Sequence, residues 1–196
     1  MNKVKRNLWI LRTRLLRLKK VGRRSCIIKP LQIDNHSSIS IGNSVYIAEY
    51  AWLMGSKILS DKGLVVNDNT VIGHFAHIIA YKEVVIEESV LIADKVFISD
   101  CTHNYLDINT PVINQDVSFI KPVIIGEGSW LGENVCVCGA SIGKHCVIGA
   151  NSVVTRDIPD YCVAVGAPAK IIKKYDTEMK VWVKDERKFD DKVFKL

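Results

Sequence analysis

Aliphatic residues return at every sixth position through most of this chain. Ile41, Ile47 and Leu53 make one triplet, and Val66, Ile72 and Ile78 the next. Ile86, Ile92 and Ile98, then Ile125, Leu131 and Val137, then Ile142, Ile148 and Val154 complete five. Within a triplet the step is always six; between triplets it is 13, 8, 27 and 5 residues. Mostly small residues follow four places behind: Val45, Ala51, Thr70, Ala76, Val90, Val96, Ser129, Val135, Cys146 and Ser152. A helix repeats near 3.6 residues and a half-buried strand at two, so a period of six is neither. It fits a chain that lays down a short flat strand, turns by about 120° and repeats, closing a triangular prism every three hexads. The aliphatic then fills the axis and the small residue sits at the corner, where bulk would clash. Each such side chain, fully buried, stabilises the fold by roughly 1.5–3 kcal/mol.

Because the step varies only between triplets, every insertion leaves the prism at the same corner. Most are small adjustments, counting the eight-residue step from Ile33 to Ile41; the 27-residue step from Ile98 to Ile125 is an arm. Its sequence, "DCTHNYLDINTPVINQDVSFIKP", is rich in apolar residues, and a long ordered loop in a compact domain is usually functional. After Val154, Pro159 and Pro168 end the hexads. The stretch "KVWVK" alternates like a strand and predicts a hairpin with residues 170–175, as expected where an open prism end needs covering. The chain therefore divides into an N-terminal arm (1–24), a coil domain (25–169, with the extruded loop at 99–124) and a C-terminal cap (170–196).

At 196 residues one domain with a sizeable core is expected. No apolar run reaches the roughly 18 residues of a membrane span. The net charge of +6 changes meaning once it is located. Residues 1–24 hold ten basic side chains and no acid, which leaves the remainder with 17 basic against 21 acidic residues. Leu8, Leu11, Leu15 and Leu18 fall at helical spacing in that arm. One reading packs this stripe on the body or on a sister subunit. The other lays a basic amphipathic helix on an anionic membrane surface, with Trp9 and the leucines inserted. Arg12, Arg14 and Arg17 interrupt every apolar stretch, against a secretion signal. No nucleic-acid partner is expected, because no reading module follows the basic arm. Six cysteines without a signal peptide point to free thiols in a reducing cytoplasm. Cys136 and Cys138 read as strand filler.

The coil pattern resembles the left-handed parallel β-helix of the hexapeptide-repeat acyltransferases over about residues 33–174. Three stretches narrow the likeness to the sugar O-acetyltransferase branch, which includes galactoside, maltose and capsule or lipopolysaccharide O-acetyltransferases. They are "VFISDCTHNY", "PVIIGEGSWLGENV" and "VIGANSVVTRDIPDYCVAVGAPAKIIKK". The resemblance implies an all-β fold: a left-handed parallel β-helix of about five to six triangular coils, with an N-terminal amphipathic helix, one long loop and a C-terminal cap. It also implies a homotrimer whose active sites lie between neighbouring prisms, each completed by an arm from the next subunit.

In such enzymes a histidine at the position of His103 takes the proton of an acceptor hydroxyl, whose oxygen attacks the thioester of acetyl-CoA directly. The chemistry asks for this residue type independently. A sugar hydroxyl is a poor nucleophile at neutral pH, an imidazole has an unperturbed pKa near 6.5, and a positioned base contributes about 10²- to 10⁴-fold. Asp100 or a backbone carbonyl would orient the ring. Cys101 replaces a second histidine of many relatives, and a covalent acyl-cysteine route through it is the less favoured reading. By the same resemblance Asn104, Trp130 and Glu133 belong to the acceptor and oxyanion region, Glu133 through its backbone N–H. Ala150, Thr155, Arg156, Gly166, Pro168, Lys170 and Lys173 would hold the coenzyme.

No metal is implied. Two departures concern detail: the five-residue step from Val137 to Ile142, and Gly73 where some relatives carry an acceptor-binding asparagine. The acceptor is expected to be a saccharide hydroxyl, of a cell-surface polysaccharide or its precursor, in the cytoplasm or at the inner face of the membrane. Transfer to an amino-sugar nitrogen, to serine or to an antibiotic hydroxyl is the nearest alternative. More distant are a non-catalytic scaffold and a γ-type carbonic anhydrase, for which His74, His77 and His103 lack the zinc-ligand spacing.

Overall fold

A computed structural model of the chain describes residues 3–57 and 62–184. The first two residues of the basic arm and residues 185–196 of the expected cap lie outside the described residues. The chain winds as a parallel β-helix, each coil contributing one short strand to each of three sheets. The first face contains Ile39–Ile41, Gly63–Val66, Glu83–Ile86 and Val123–Ile125. The second contains Tyr46–Ile47, Val71–Ile72, Leu91–Ile92, Trp130–Leu131 and Val147–Ile148. The third contains Trp52–Met54, His77–Ile79, Phe97–Ser99, Cys136–Cys138 and Val153–Val154. In-register parallel pairing, such as Ile47 beside Ile72 and Leu53 beside Ile78, stacks the hexad aliphatics along the axis. All fifteen are at most 1% exposed, and so are the ten residues four places behind them.

The coil extends further at both ends than the hexad count predicts. Lys20–Val21, Cys26–Ile27 and Gln32–Asp34 form a first coil below Ile39–Ile41. Its inward residues Val21, Ile27 and Ile33 are also six apart, but the charged Arg23 and Arg24 between them hide the pattern. The β-helix therefore begins inside the expected arm, at Lys20. Beyond Val154, Ile158 and Ala164 continue the first and second faces despite Pro159. The cap then reverses direction: Lys170–Asp176 pairs antiparallel with Cys162–Val165 and next with Val181–Lys184. The expected hairpin thus covers the C-terminal end of the second face.

The N-terminal helix, Lys3–Leu15, covers the opposite end, but not by its leucine stripe. The Thr13 side chain is fully buried; its hydroxyl accepts the Ile27 N–H at 2.8 Å and donates to the Trp9 carbonyl at 2.8 Å. The first coil has no coil beneath it, and this hydroxyl satisfies an edge amide that would otherwise be orphaned. Trp9, Ile10 and Leu16 turn half-buried toward the body, and Leu18 packs against the core, whereas Leu8, Leu11 and Leu15 are exposed. The reading in which the stripe packs on the chain's own body is corrected here: one hydrogen-bonded threonine sets the rotation of the helix.

The third corner carries every insertion. The longest, between Phe97–Ser99 and Val123–Ile125, is a two-stranded ribbon rather than an irregular loop. Cys101–His103 runs antiparallel to Val117–Phe119, with His103 opposite Val117. At its root the Asp100 carbonyl accepts the Ile120 N–H at 2.8 Å. Gly139 makes room for this closure: its φ is +55°, and a Cβ there would meet the Ile120 side chain at 2.5 Å. The five-residue step from Val137 to Ile142 is therefore the coil yielding to the root of the arm.

Candidate active site

His103 ends the first strand of the ribbon, with its side chain exposed. Among the described residues nothing hydrogen-bonds its ring. The next residue, Asn104, continues the ribbon through its N–H to the Asp116 carbonyl at 2.9 Å, and its side-chain oxygen accepts the Leu106 N–H. Leu106, Ile108 and Ile113 at the far end of the arm are almost wholly exposed. An ordered ribbon with an apolar tip is a shape made to rest on another surface.

Asp100 has a different task from the one expected. It is fully buried, and its carboxylate accepts the backbone N–H groups of Tyr81, Lys82 and Glu83 at 2.7, 2.7 and 2.8 Å. Burial pushes its carboxyl above the usual range, while the three amides pull it back. In place of a bond to the imidazole, these contacts fix the turn beside the arm's root. Cys101 is equally unsuited to a covalent role in its present state. Burial pushes its thiol up, so the nucleophilic thiolate is scarce.

Trp130 stands on the outer side of the second face, in register between Leu91 and Val147. Beside it an apolar groove of about 350 Å³ runs around the second corner, lined by Ala93, Trp130, Glu133, Val147, Gly149 and Ala150. The groove brings together Trp130 and Glu133, expected in the acceptor and oxyanion region, and Ala150, expected along the coenzyme. The Glu133 N–H finds no acceptor among the described residues, whereas its carbonyl is bonded by the Asn151 N–H at 2.8 Å. A free amide at the rim of an apolar groove can meet a developing oxyanion.

The other coenzyme candidates fall into two groups. Gly166 accepts the Val153 N–H at 2.9 Å, and the cis Ala167–Pro168 bond turns the chain back along the cap. There Lys170 lies opposite Val165 and Lys173 opposite Val163, which itself pairs with Val147 of the groove. Lys170 and Lys173 thus lie on the face of the groove toward the C-terminal end, whereas Pro168 sits in the turn between Gly166 and Ala169, both hydrogen-bonded to Val153 of the third face. Thr155 and Arg156 lie at the third corner, across the third face from that groove. His103 springs from the third corner too. In one chain His103 and the groove therefore occupy different edges of the prism.

A polar cluster that the sequence reading missed borders the groove on the same corner. The His74 ring bridges Asp94 at 3.1 Å and Glu49 at 3.2 Å, and its backbone N–H reaches Asp94 at 2.7 Å. A side chain at Gly73 is excluded here, since its Cβ would meet the backbone at Ala93 C, 2.6 Å away, and at Asp94 N, 2.7 Å away. The signal in the sequence was His74 and Asp94, each following a small residue after a hexad aliphatic, one coil apart. His77 is placed elsewhere: its ring stacks on Trp52 at 4.3 Å on the third face.

Residues 122–156 match the family pattern described as the hexapeptide repeat of succinyl-transferase. The chain is 38% identical over 180 residues to WbbJ of Escherichia coli K12, described as a putative lipopolysaccharide biosynthesis O-acetyl transferase. That match takes in 85% of this chain and 88% of the relative. The chain belongs to the hexapeptide-repeat acyltransferases. It is an enzyme of acyl transfer.

A probable acetyltransferase of Mycobacterium tuberculosis is 43% identical over 107 residues, covering 54% of this chain and 35% of that longer protein. Two solved hexapeptide-repeat structures share the fold. AntD, an N-acyltransferase of Bacillus cereus solved with dTDP and 3-hydroxybutyryl-CoA, superimposes with a TM-score of 0.70 at 20% identity over 86% of this chain and 89% of its own. The Vibrio cholerae acetyltransferase VCA0836, solved with acetyl coenzyme A, gives 0.58 at 24% identity over 88% and 85%. In this acyltransferase the described residues include no helix long and apolar enough to cross a membrane.

Proposed function

We propose that the protein transfers an acetyl group from acetyl-CoA to a hydroxyl of a saccharide, in a trimer whose active sites lie between subunits. The observation that carries this reading is the separation of parts. The apolar groove with Trp130, Glu133 and Ala150 is on one edge of the prism, and His103 is displayed on an apolar-tipped ribbon from another. A neighbouring copy would bring its ribbon to the groove. The pantetheine, an extended amide-rich chain, would then lie along the groove and its thioester beside Trp130. His103 of the arm accepts the hydroxyl proton as the oxygen attacks the carbonyl. The Glu133 N–H meets the oxyanion, and the coenzyme thiolate leaves. Lys170 and Lys173 continue from the groove toward the nucleotide phosphates, whereas Thr155 and Arg156, at the third corner, would meet the coenzyme only in the groove of a neighbouring copy. The likeness to a lipopolysaccharide O-acetyl transferase favours a cell-surface glycan or its precursor as acceptor. Use of acetyl-CoA as donor supports a cytoplasmic reaction.

Subunit mixing tests the arrangement. Ala150→Trp should fill the groove and His103→Ala remove the base, each leaving an inactive trimer. Trimers co-assembled from the two variants should regain measurable acetyl-CoA consumption with a saccharide acceptor, because some interfaces pair an intact arm with an intact groove. Mixed trimers as inactive as both parents would place base and groove in one chain.

Trp130→Ala should raise the KM for acetyl-CoA by about tenfold, the loss expected when a half-covered aromatic no longer meets the ligand. Its side chain is exposed in the single chain, so thermal unfolding should shift little. Steady-state kinetics beside a melting curve would check both outcomes.

A further inference from the structure

We propose that the N-terminal helix docks the enzyme on an anionic lipid bilayer. Val4, Leu8, Leu11 and Leu15 are 78%, 47%, 57% and 72% exposed and form one line along the helix. At about 100° per residue this line lies almost opposite Thr13, the residue that ties the helix to the first coil. The hydrogen bonds at Thr13 therefore hold the apolar line facing outward.

Its surroundings select the partner. Lys5 and Arg12 flank the line on one side and Arg14 on the other, and Arg17, Lys19, Lys20, Arg23 and Arg24 follow, all exposed. Residues 1–24 contain no acid, while the rest of the chain is net acidic. A second copy offers no negative helix to match, whereas an anionic bilayer offers both a negative surface and an apolar interior. The helix also leaves a cleft of about 430 Å³ against the body, lined by Leu8, Trp9, Ile28 and Tyr46 together with Lys5, Lys29 and Glu49. Its apolar side chains suit an acyl chain and its lysines a lipid phosphate, Glu49 being paired with His74. Docking by this end would hold the prism at the membrane with its grooves open to saccharides carried there.

Flotation of the full chain with vesicles tests this without using activity, so its outcome is independent of the acyl-transfer reading. Vesicles of phosphatidylcholine with phosphatidylglycerol should bind at least about tenfold more protein than phosphatidylcholine alone, given several cations near the surface. Raising the salt should weaken the binding, because charge attraction is screened. A Leu11→Glu/Leu15→Glu variant, altered only at exposed positions, should lose most of that binding with unchanged melting temperature, oligomeric mass and acetyl-CoA affinity. Equal binding to both vesicle types, or full binding by the variant, would overturn the proposal. A changed oligomeric mass would overturn it too, by showing that the line is a contact between copies, as would tighter binding to duplex DNA than to the vesicles.

Discussion

His103→Ala should fold, assemble and bind acetyl-CoA as the parent does, yet lose at least about 100-fold in kcat/KM for the saccharide. The fold should be spared because the ring is exposed and bonded by none of the described residues, and exposed substitutions of this kind usually cost less than about 0.5 kcal/mol. The rate should collapse because His103 carries the one imidazole in the arm, residues 99–124, and an imidazole is the side chain suited to general-base work near neutral pH. Asp107 caps the Asn109 N–H and the Thr110 hydroxyl, and Cys101 is held as a thiol by burial. Added imidazole should restore part of the lost rate in the variant. Kinetics on the purified variant decide the matter: a kcat/KM within tenfold of the parent removes His103 from the mechanism and returns the base to an unassigned group.

Asp100→Ala should produce the opposite profile, a large loss of stability with a smaller loss of rate. The carboxylate satisfies three backbone amides at once, and removing the acceptor from buried donors costs about 1–3 kcal/mol for a single group, so a total on the order of 3 kcal/mol is expected. The same residue closes the arm through its carbonyl, which the substitution leaves in place. Turnover should fall only several-fold, through a loosened root. The discriminating measurement is the pH profile of kcat/KM in Asp100→Asn, beside its denaturant midpoint. If Asp100 serves the turn at Tyr81–Glu83, the midpoint falls and the acid limb of the profile stays where it is. A displaced acid limb with a 100-fold loss of kcat would restore the imidazole-orienting role and defeat the structural one.

Most of the coil could be read from the sequence because its rule is local. A side chain that points to the axis of a three-sided prism must recur every six residues, so fifteen buried aliphatics announce themselves without any knowledge of their neighbours. The first coil was legible only through Ile33, because Val21 and Ile27 are embedded in charge and beside a helix, and Ile158 escaped because Pro159 follows it. The strand identity of Cys101–His103 was illegible for another reason. Its partner, Val117–Phe119, is a short polar-apolar mixture with no period of its own, and only pairing defines it. Residue-level candidates fared according to the same logic. Glu133 and Ala150 meet because each stands two places after an aliphatic of the second face, one coil apart, and Trp130 directly precedes the first of those aliphatics, whereas Asp100 was assigned by proximity in sequence to His103 and found its partners one coil earlier.

The sequence by itself determined the prism, its single insertion corner and the place where the arm departs, because each depends on spacing along one chain. Tertiary structure alone decided what faces outward: that Thr13 turns the leucine line away from the body, that Asp100 serves backbone amides, and that His74 is clamped between Glu49 and Asp94. These are directions of side chains across coils or between a helix and a coil edge. A linear pattern fixes how often a residue returns, but the rotation of an element is set by the hydrogen bonds that its neighbours leave unsatisfied.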